Sequence, residues 1–152
     1  MTQGVMEKVD MATEKKRFAV GDVYRIVKDP ITTTQLVKYA GVSGDFNRIH
    51  FDHPFAVQAG LGGLLAHGML TMGFAASCLT EALGPEASIL NLSGRFLFPV
   101  HVGDVVEVVA TAQAEAPNSG LIVQLEATVN KQVVFRGNAT ATYGAASSAR
   151  AS

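Results

Sequence analysis

The run Ala66-His-Gly-Met-Leu-Thr-Met-Gly-Phe-Ala-Ala-Ser-Cys-Leu-Thr-Glu-Ala-Leu83 constrains this chain more than any other stretch. Read as a helix, its first four turns are apolar or small nearly all round, so it needs cover on most sides. His67, Ser77, Thr80 and Glu81 interrupt the run, which makes it a buried helix and not a membrane span. Gly84-Pro85 stops it. A sheet can bury such a helix only by curling around it. Small residues crowd positions 59–76, so a second helix, a sheet or a ligand must lie close to the backbone there.

The sequence beyond the helix supplies that sheet. Ser88–Phe98, Asp104–Glu115, Leu121–Lys131 and Gln132–Tyr143 alternate as strands, with a tight turn near Asn130–Gln132. Leu90, Leu92, Phe96 and Phe98 fall on one face of the first of these, and Val106, Val108 and Ala110 on one face of the second. In the third, Val123, Leu125, Ala127 and Val129 point away from Ile122, Gln124, Glu126 and Thr128. Upstream, Val20–Lys28 reads as a further strand that Asp29-Pro30 ends. Thr32-Thr-Thr-Gln35 is a capping-box pattern opening a short helix with Leu36, Val37, Tyr39 and Ala40 inward, and Gly41 closes it. Asp52 and Pro54 suit the start of another short helix. The layout is α+β. Its free sheet edge calls for a second copy of the chain.

With 152 residues, 48% hydrophobic and 16% charged, the chain suffices for one core, placed here at 17–144 between a flexible N-terminal tail (1–16) and a disordered C-terminal tail (145–152). A net charge of −1 leaves no electrostatic footprint for nucleic acid or an anionic membrane. Cys78 is the one cysteine, so there is no internal disulfide and no cysteine-rich metal cluster. With no secretory pattern at the start, the expected location is a reducing cytoplasm.

Between the two short helices lies Gly44-Asp-Phe-Asn-Arg-Ile-His50. Asp45 and His50 are five residues apart. A helix would turn the pair about 500° apart, and a strand would send them to opposite faces. If both serve one site, the backbone between them is irregular, which Gly41, Gly44, Asp45 and Asn47 suit. A carboxylate and an imidazole on a shaped loop are what acid–base work on a bound water requires.

The run Ser43-Gly-Asp-Phe-Asn-Arg-Ile-His-Phe-Asp52, then Phe55-Ala56 and Ala66-His-Gly-Met-Leu70, resembles the MaoC-like dehydratases, the (R)-specific enoyl-CoA hydratases. The motif covers about 30 residues, and the order of elements carries the resemblance from Phe18 to Tyr143. It implies the hot-dog fold, an antiparallel five-stranded sheet wrapped around a long central helix. It also implies hydration of trans-2-enoyl thioesters, or dehydration of (R)-3-hydroxyacyl thioesters, within fatty acid metabolism. On that resemblance Asp45 and His50 are the catalytic dyad and Asn47 supports their loop. The backbone N–H of Gly68 takes the thioester carbonyl, a role that a helix N-terminus and a missing Cβ both favour. The substrate is an acyl-CoA or acyl-carrier-protein thioester, so CoA or phosphopantetheine enters as substrate, with no separate cofactor and no metal. The expected assembly is a homodimer or higher homo-oligomer, with a heterodimer as the other arrangement.

Two positions depart from the family pattern. Arg48 stands where proline usual to the motif would stiffen the loop, as a solvated side chain or a contact for a phosphate or carboxylate. A serine that some members carry on the central helix falls at Ala76, beside Ser77. His67 reads as a cap or packing residue, and His53 and His101 as exposed. Ser77 and Cys78 have no base at a recognisable spacing. The alternatives are a hot-dog acyl thioesterase, from which the Asp45/His50 spacing argues away, and the active subunit of a heteromeric dehydratase.

Overall fold

The computed structural model describes residues 17–143, so the tails expected at 1–16 and 145–152 lie outside the described residues. In chain order the elements are β1 (Val23–Val27), α1 (Thr33–Ser43), a 3-10 turn (Arg48–His50), α2 (His53–Gln58), α3 (Gly68–Leu83), β2 (Ala87–Phe96), β3 (Glu107–Ala116), β4 (Gly120–Val129) and β5 (Gln132–Tyr143). The strands form one sheet in the order β1-β3-β4-β5-β2, antiparallel throughout. It packs against α3, and no helix among the described residues is long and apolar enough to cross a membrane.

Alternation sets which side of the sheet meets α3. Val106, Val108, Ala110, Val123, Leu125 and Ala127 are all fully buried in the core shared with Leu70, Phe74, Cys78 and Leu79. The β4–β5 hairpin closes through Asn130 and Lys131, both at positive φ (48° and 69°), the two-residue turn whose twist matches that of the strands. Gly94 and Gly137 face each other across β2 and β5. A Cβ on either would come within 2.8 Å of the Phe135 ring, so the pair leaves the slot that this fully buried ring fills.

Four expectations are corrected. The helix expected to close at Gly41 runs on to Ser43, because the left-handed residue that ends it is Gly44 (φ 74°), whose N–H donates to the Ala40 carbonyl. Strand β2 carries a register shift between Ile89 and Asn91 that breaks the expected face: Leu90 is 64% exposed while Leu92 packs against the core. Helix α3 begins at Gly68, since Ala66 is held in extended pairing by its N–H bond to the Val100 carbonyl (2.7 Å). Finally, the sheet covers one face of α3 only. Met69, Gly73 and Thr80 are exposed and Met72, Ala76 and Ser77 half-buried on the opposite strip, so one chain leaves this helix partly uncovered.

Candidate active site

The residues upstream of α3 fold into a chain of local caps. Thr32 Oγ1 accepts from the Gln35 N–H (3.1 Å) to open α1, and Gly44 closes it. The backbone then turns irregularly: the Asp45 N–H donates to Ser43 Oγ (3.2 Å), the Asn47 N–H to Asp45 Oδ1 (3.2 Å) and the Ile49 N–H to Asn47 Oδ1 (3.3 Å). Each is a short acceptor side chain taking an orphan N–H two residues away, the contact Asp, Asn and Ser make best. A 3-10 turn ends the segment and delivers His50 inward, where it is buried.

Asp45 Oδ2 and His50 Nε2 lie 3.6 Å apart, the carboxylate side chain 52% exposed and the imidazole 8%. His50 Nδ1 sits 2.8 Å from the Leu65 carbonyl oxygen, which only accepts. In the neutral ring that contact puts the proton on Nδ1 and leaves the Nε2 lone pair towards Asp45. The 3.6 Å gap suits a proton or a water hydrogen shared between the two.

Stacked on His50, with ring centroids 3.7 Å apart and planes inclined 20°, is His67. It occupies the N-cap position of α3 but caps nothing with its side chain. Its Nε2–H donates instead to the Asp45 carbonyl oxygen (3.1 Å), and its Nδ1 is buried without a hydrogen-bond partner. The packing role expected of His67 is present and the capping role is not. Ligand atoms of Asp45, His50 and His67 lie within 4.8 Å of one another, as a metal trio would require. A metal must lie near the plane of each imidazole it binds. These planes are nearly parallel, so one ion cannot meet both lone pairs unless a ring turns.

Beside His50 opens a cavity of about 350 Å³, largely apolar, that Leu65, Ala66, Thr71, Phe96, Leu97 and Val134 line together with His50 and Gly68. Gly68 is the first residue of α3, so the cavity meets a helix N-terminus where backbone N–H groups have no intrahelical acceptor. A Cβ on Gly68 would sit 3.3 Å from three atoms of the Phe96 ring, so that ring already takes up the space glycine leaves.

The remaining candidates sort by contact. Arg48, expected as a solvated side chain or an anion contact, is exposed and also engaged within the chain. Its Nη2 and Nε donate to Asp52 Oδ2 (2.7 and 3.1 Å), and its guanidinium lies 4.2 Å from the centre of the Phe55 ring. The guanidinium bond and the Phe55 N–H both hold the Asp52 carboxyl below its ordinary range. Ser77 Oγ donates to the Gly73 carbonyl (3.1 Å), which spends its hydroxyl on the helix backbone. Burial pushes the Cys78 thiol up to about 11, so it stays protonated at neutral pH. His53 is exposed, but His101, expected to be exposed as well, is half-buried with its ring nitrogen 3.0 Å from the Leu61 carbonyl. Sequence reasoning missed Thr71 as the hydroxyl in the cavity. Its signal was a position one helical turn beyond Gly68.

Residues 15–142 match the family described as MaoC like domain. A 3-hydroxybutyryl-CoA dehydratase from Methylorubrum extorquens is 33% identical over 116 residues, covering 75% of this chain and 74% of that protein. An (R)-specific enoyl-CoA hydratase from Rhodospirillum rubrum is 33% identical over 112 residues, covering 72% and 78%. Among solved structures, an (R)-hydratase from A. caviae matches with a TM-score of 0.78 at 25% identity, covering 82% of this chain and 96% of that one.

Proposed function

Because this chain belongs to the MaoC-like family, with its α+β hot-dog fold and as an enzyme of the hydro-lyase class, we propose that it hydrates trans-2-enoyl thioesters to (R)-3-hydroxyacyl thioesters and catalyses the reverse dehydration. The observation that carries this reading is the 3.6 Å approach of Asp45 Oδ2 to His50 Nε2 beside an apolar cavity that reaches Gly68. A thioesterase needs its water at C1. The intact Asp45/His50 spacing argues away from that reading.

In this reading the acyl chain occupies the cavity and the thioester carbonyl points at the N–H of Gly68. There the helix terminus favours the negative charge that builds on oxygen as water adds. A water held between Asp45 and His50 attacks C3. One of the pair takes a proton from that water and the other delivers one to C2, so H and OH add across the double bond. The same groups in reverse expel water. Asn47 keeps the loop in shape through its bond from the Ile49 N–H. No cofactor or metal enters this scheme. CoA or a carrier protein's pantetheine arm arrives with the substrate, and the enzyme works in the cytoplasm.

The working unit in this proposal is a homodimer or larger, with a heterodimer as the other form. Ile89, Leu90, Phe96 and Phe98 are exposed on or just beyond the edge strand β2, and α3 leaves its small-residue strip open. Purified protein assayed on crotonyl-CoA and longer enoyl-CoAs, with chiral analysis of the product, tests the reading. The expected product is the (R)-3-hydroxyacyl thioester. Release of free thiol, or the (S)-alcohol, contradicts it.

A further inference from the structure

We propose that His67 is a positioning residue that sets the distance between Asp45 and His50. The loop from Gly44 to Asn47 is tied down mainly by its own neighbours: Gly44 to Ala40, Asp45 to Ser43 and Asn47 to Asp45. Among the described residues, the hydrogen bond that anchors it to a distant part of the chain is the one from His67 Nε2–H to the Asp45 carbonyl, 22 residues away. The other half of the dyad is held by the same short segment. Leu65, two residues before His67, presents its carbonyl to His50 Nδ1 at 2.8 Å. One extended piece of backbone therefore grips both partners, His50 through Leu65 and Asp45 through His67.

That segment is itself rigid. The Leu65 N–H donates to the Ile49 carbonyl (3.1 Å), the Ala66 N–H donates to the Val100 carbonyl, and His67 runs directly into α3. The His67 ring is 1% exposed, wedged between His50 at 3.7 Å and Tyr39 at 4.9 Å. A ring that served packing alone would do so as well without a donor. Here Nδ1 is left buried and unpartnered, while Nε2 is aimed at a main-chain oxygen of the dyad's own acid. The arrangement accepts an orphan nitrogen to keep that one bond. His67 touches no reacting atom in this scheme and acts through Asp45.

Amide geometry provides the test. Gln places its side-chain N–H near the position of an imidazole Nε2, Asn cannot reach that far, and Phe keeps the stacked ring without a donor. Amide hydrogen exchange at Ile49 and His50 in the ligand-free protein reads the loop directly. His67→Asn and His67→Phe are expected to exchange about tenfold faster or more there, and His67→Gln close to wild type. On crotonyl-CoA the same two variants are expected to lose roughly 10- to 100-fold in kcat with KM changed less than about threefold, while His67→Gln recovers most of kcat. The kinetic arm rests on the hydratase reading and the exchange arm does not. Wild-type protein without hydratase activity would sink that reading and leave the exchange comparison to decide the role of His67. If His67→Asn or His67→Phe fails to fold, the other carries the comparison with His67→Gln. Equal exchange in His67→Gln and in the Asn and Phe variants overturns the proposal.

Discussion

Arg48 and Asp52 form a forked ion pair, with Nη2 and Nε both on Oδ2, across the turn that carries His50. The pair closes four residues of backbone, and the guanidinium lies over Phe55 as it does so. Proline in place of Arg48 would fix the same turn covalently. Asn47, immediately before it, already has the extended backbone (φ −60°, ψ 129°) that a residue preceding proline must adopt. Arg48→Pro is therefore expected to keep near wild-type kcat. Arg48→Ala, which loses both restraints, is expected to lower kcat roughly three- to tenfold with KM little changed, and to cost little stability, since the pair is open to solvent. A raised KM in Arg48→Ala that shrinks with added salt would instead return Arg48 to substrate binding.

Acid should release this staple. The Asp52 carboxyl is lowered first by its hydrogen bond from Arg48 and then by the Phe55 N–H. A group lowered in the folded state contributes stability that is present above its unfolded value and lost as pH falls through its folded one. Asp52→Asn keeps an N-cap for α2 and removes the charge. Thermal melts of wild type and Asp52→Asn should differ from neutral pH down to the ordinary carboxylate range, then converge in stronger acid. A gap that is constant down to pH 2 contradicts the assignment.

Gly68 and Phe96 separate a packing role from a substrate role at the head of α3. A Cβ at position 68 meets the Phe96 ring at 3.3 Å, but that side chain is half exposed and free to give way. Gly68→Ala is expected to fold with a melting temperature close to wild type and to lose about tenfold or more in kcat/KM, because the methyl group and the Phe96 ring it displaces crowd the approach of the thioester to the N–H at the head of α3. Gly68→Ala combined with Phe96→Ala removes the ring contact. If the double variant recovers full activity, the glycine serves Phe96 and not the substrate.

The open edge of β2 predicts a dimer. Light scattering at micromolar concentration should give at least twice the chain mass, and Leu90→Asp should shift the population toward monomer. A wild-type monomer with full activity would contradict this.

Periodicity made the strands, the hairpins and the long helix legible, because those features are local. Gln132–Tyr143 appears with the bounds that alternation suggested. The spacing of Asp45 and His50 demanded an irregular backbone, and a capped loop ending in a 3-10 turn joins them. What the sequence hid depends on contacts between distant residues. The slot that Gly94 and Gly137 leave for Phe135 follows from strand register, and the register shift near Leu90 is not written in the pattern of apolar residues. Gly41 and Gly44 are equally able to end a helix, and only the backbone angles distinguish them. His67 was visible as a residue but not as a partner, since its bond to Asp45 spans 22 positions and ends on a carbonyl that every residue possesses.

Catalysis as proposed requires Asp45 and His50 to act together on one water, and two single substitutions test that most directly. Asp45→Asn touches an exposed carboxylate and should fold as wild type. His50→Gln leaves the Leu65 carbonyl without its ring donor and should cost about 1–3 kcal/mol of stability while still folding. Both should bind enoyl thioester, and each should lose roughly 10²–10⁴-fold in kcat. The double variant should be little worse than either alone. If either single variant keeps more than about a tenth of wild-type hydratase kcat, the pair is not the catalytic dyad.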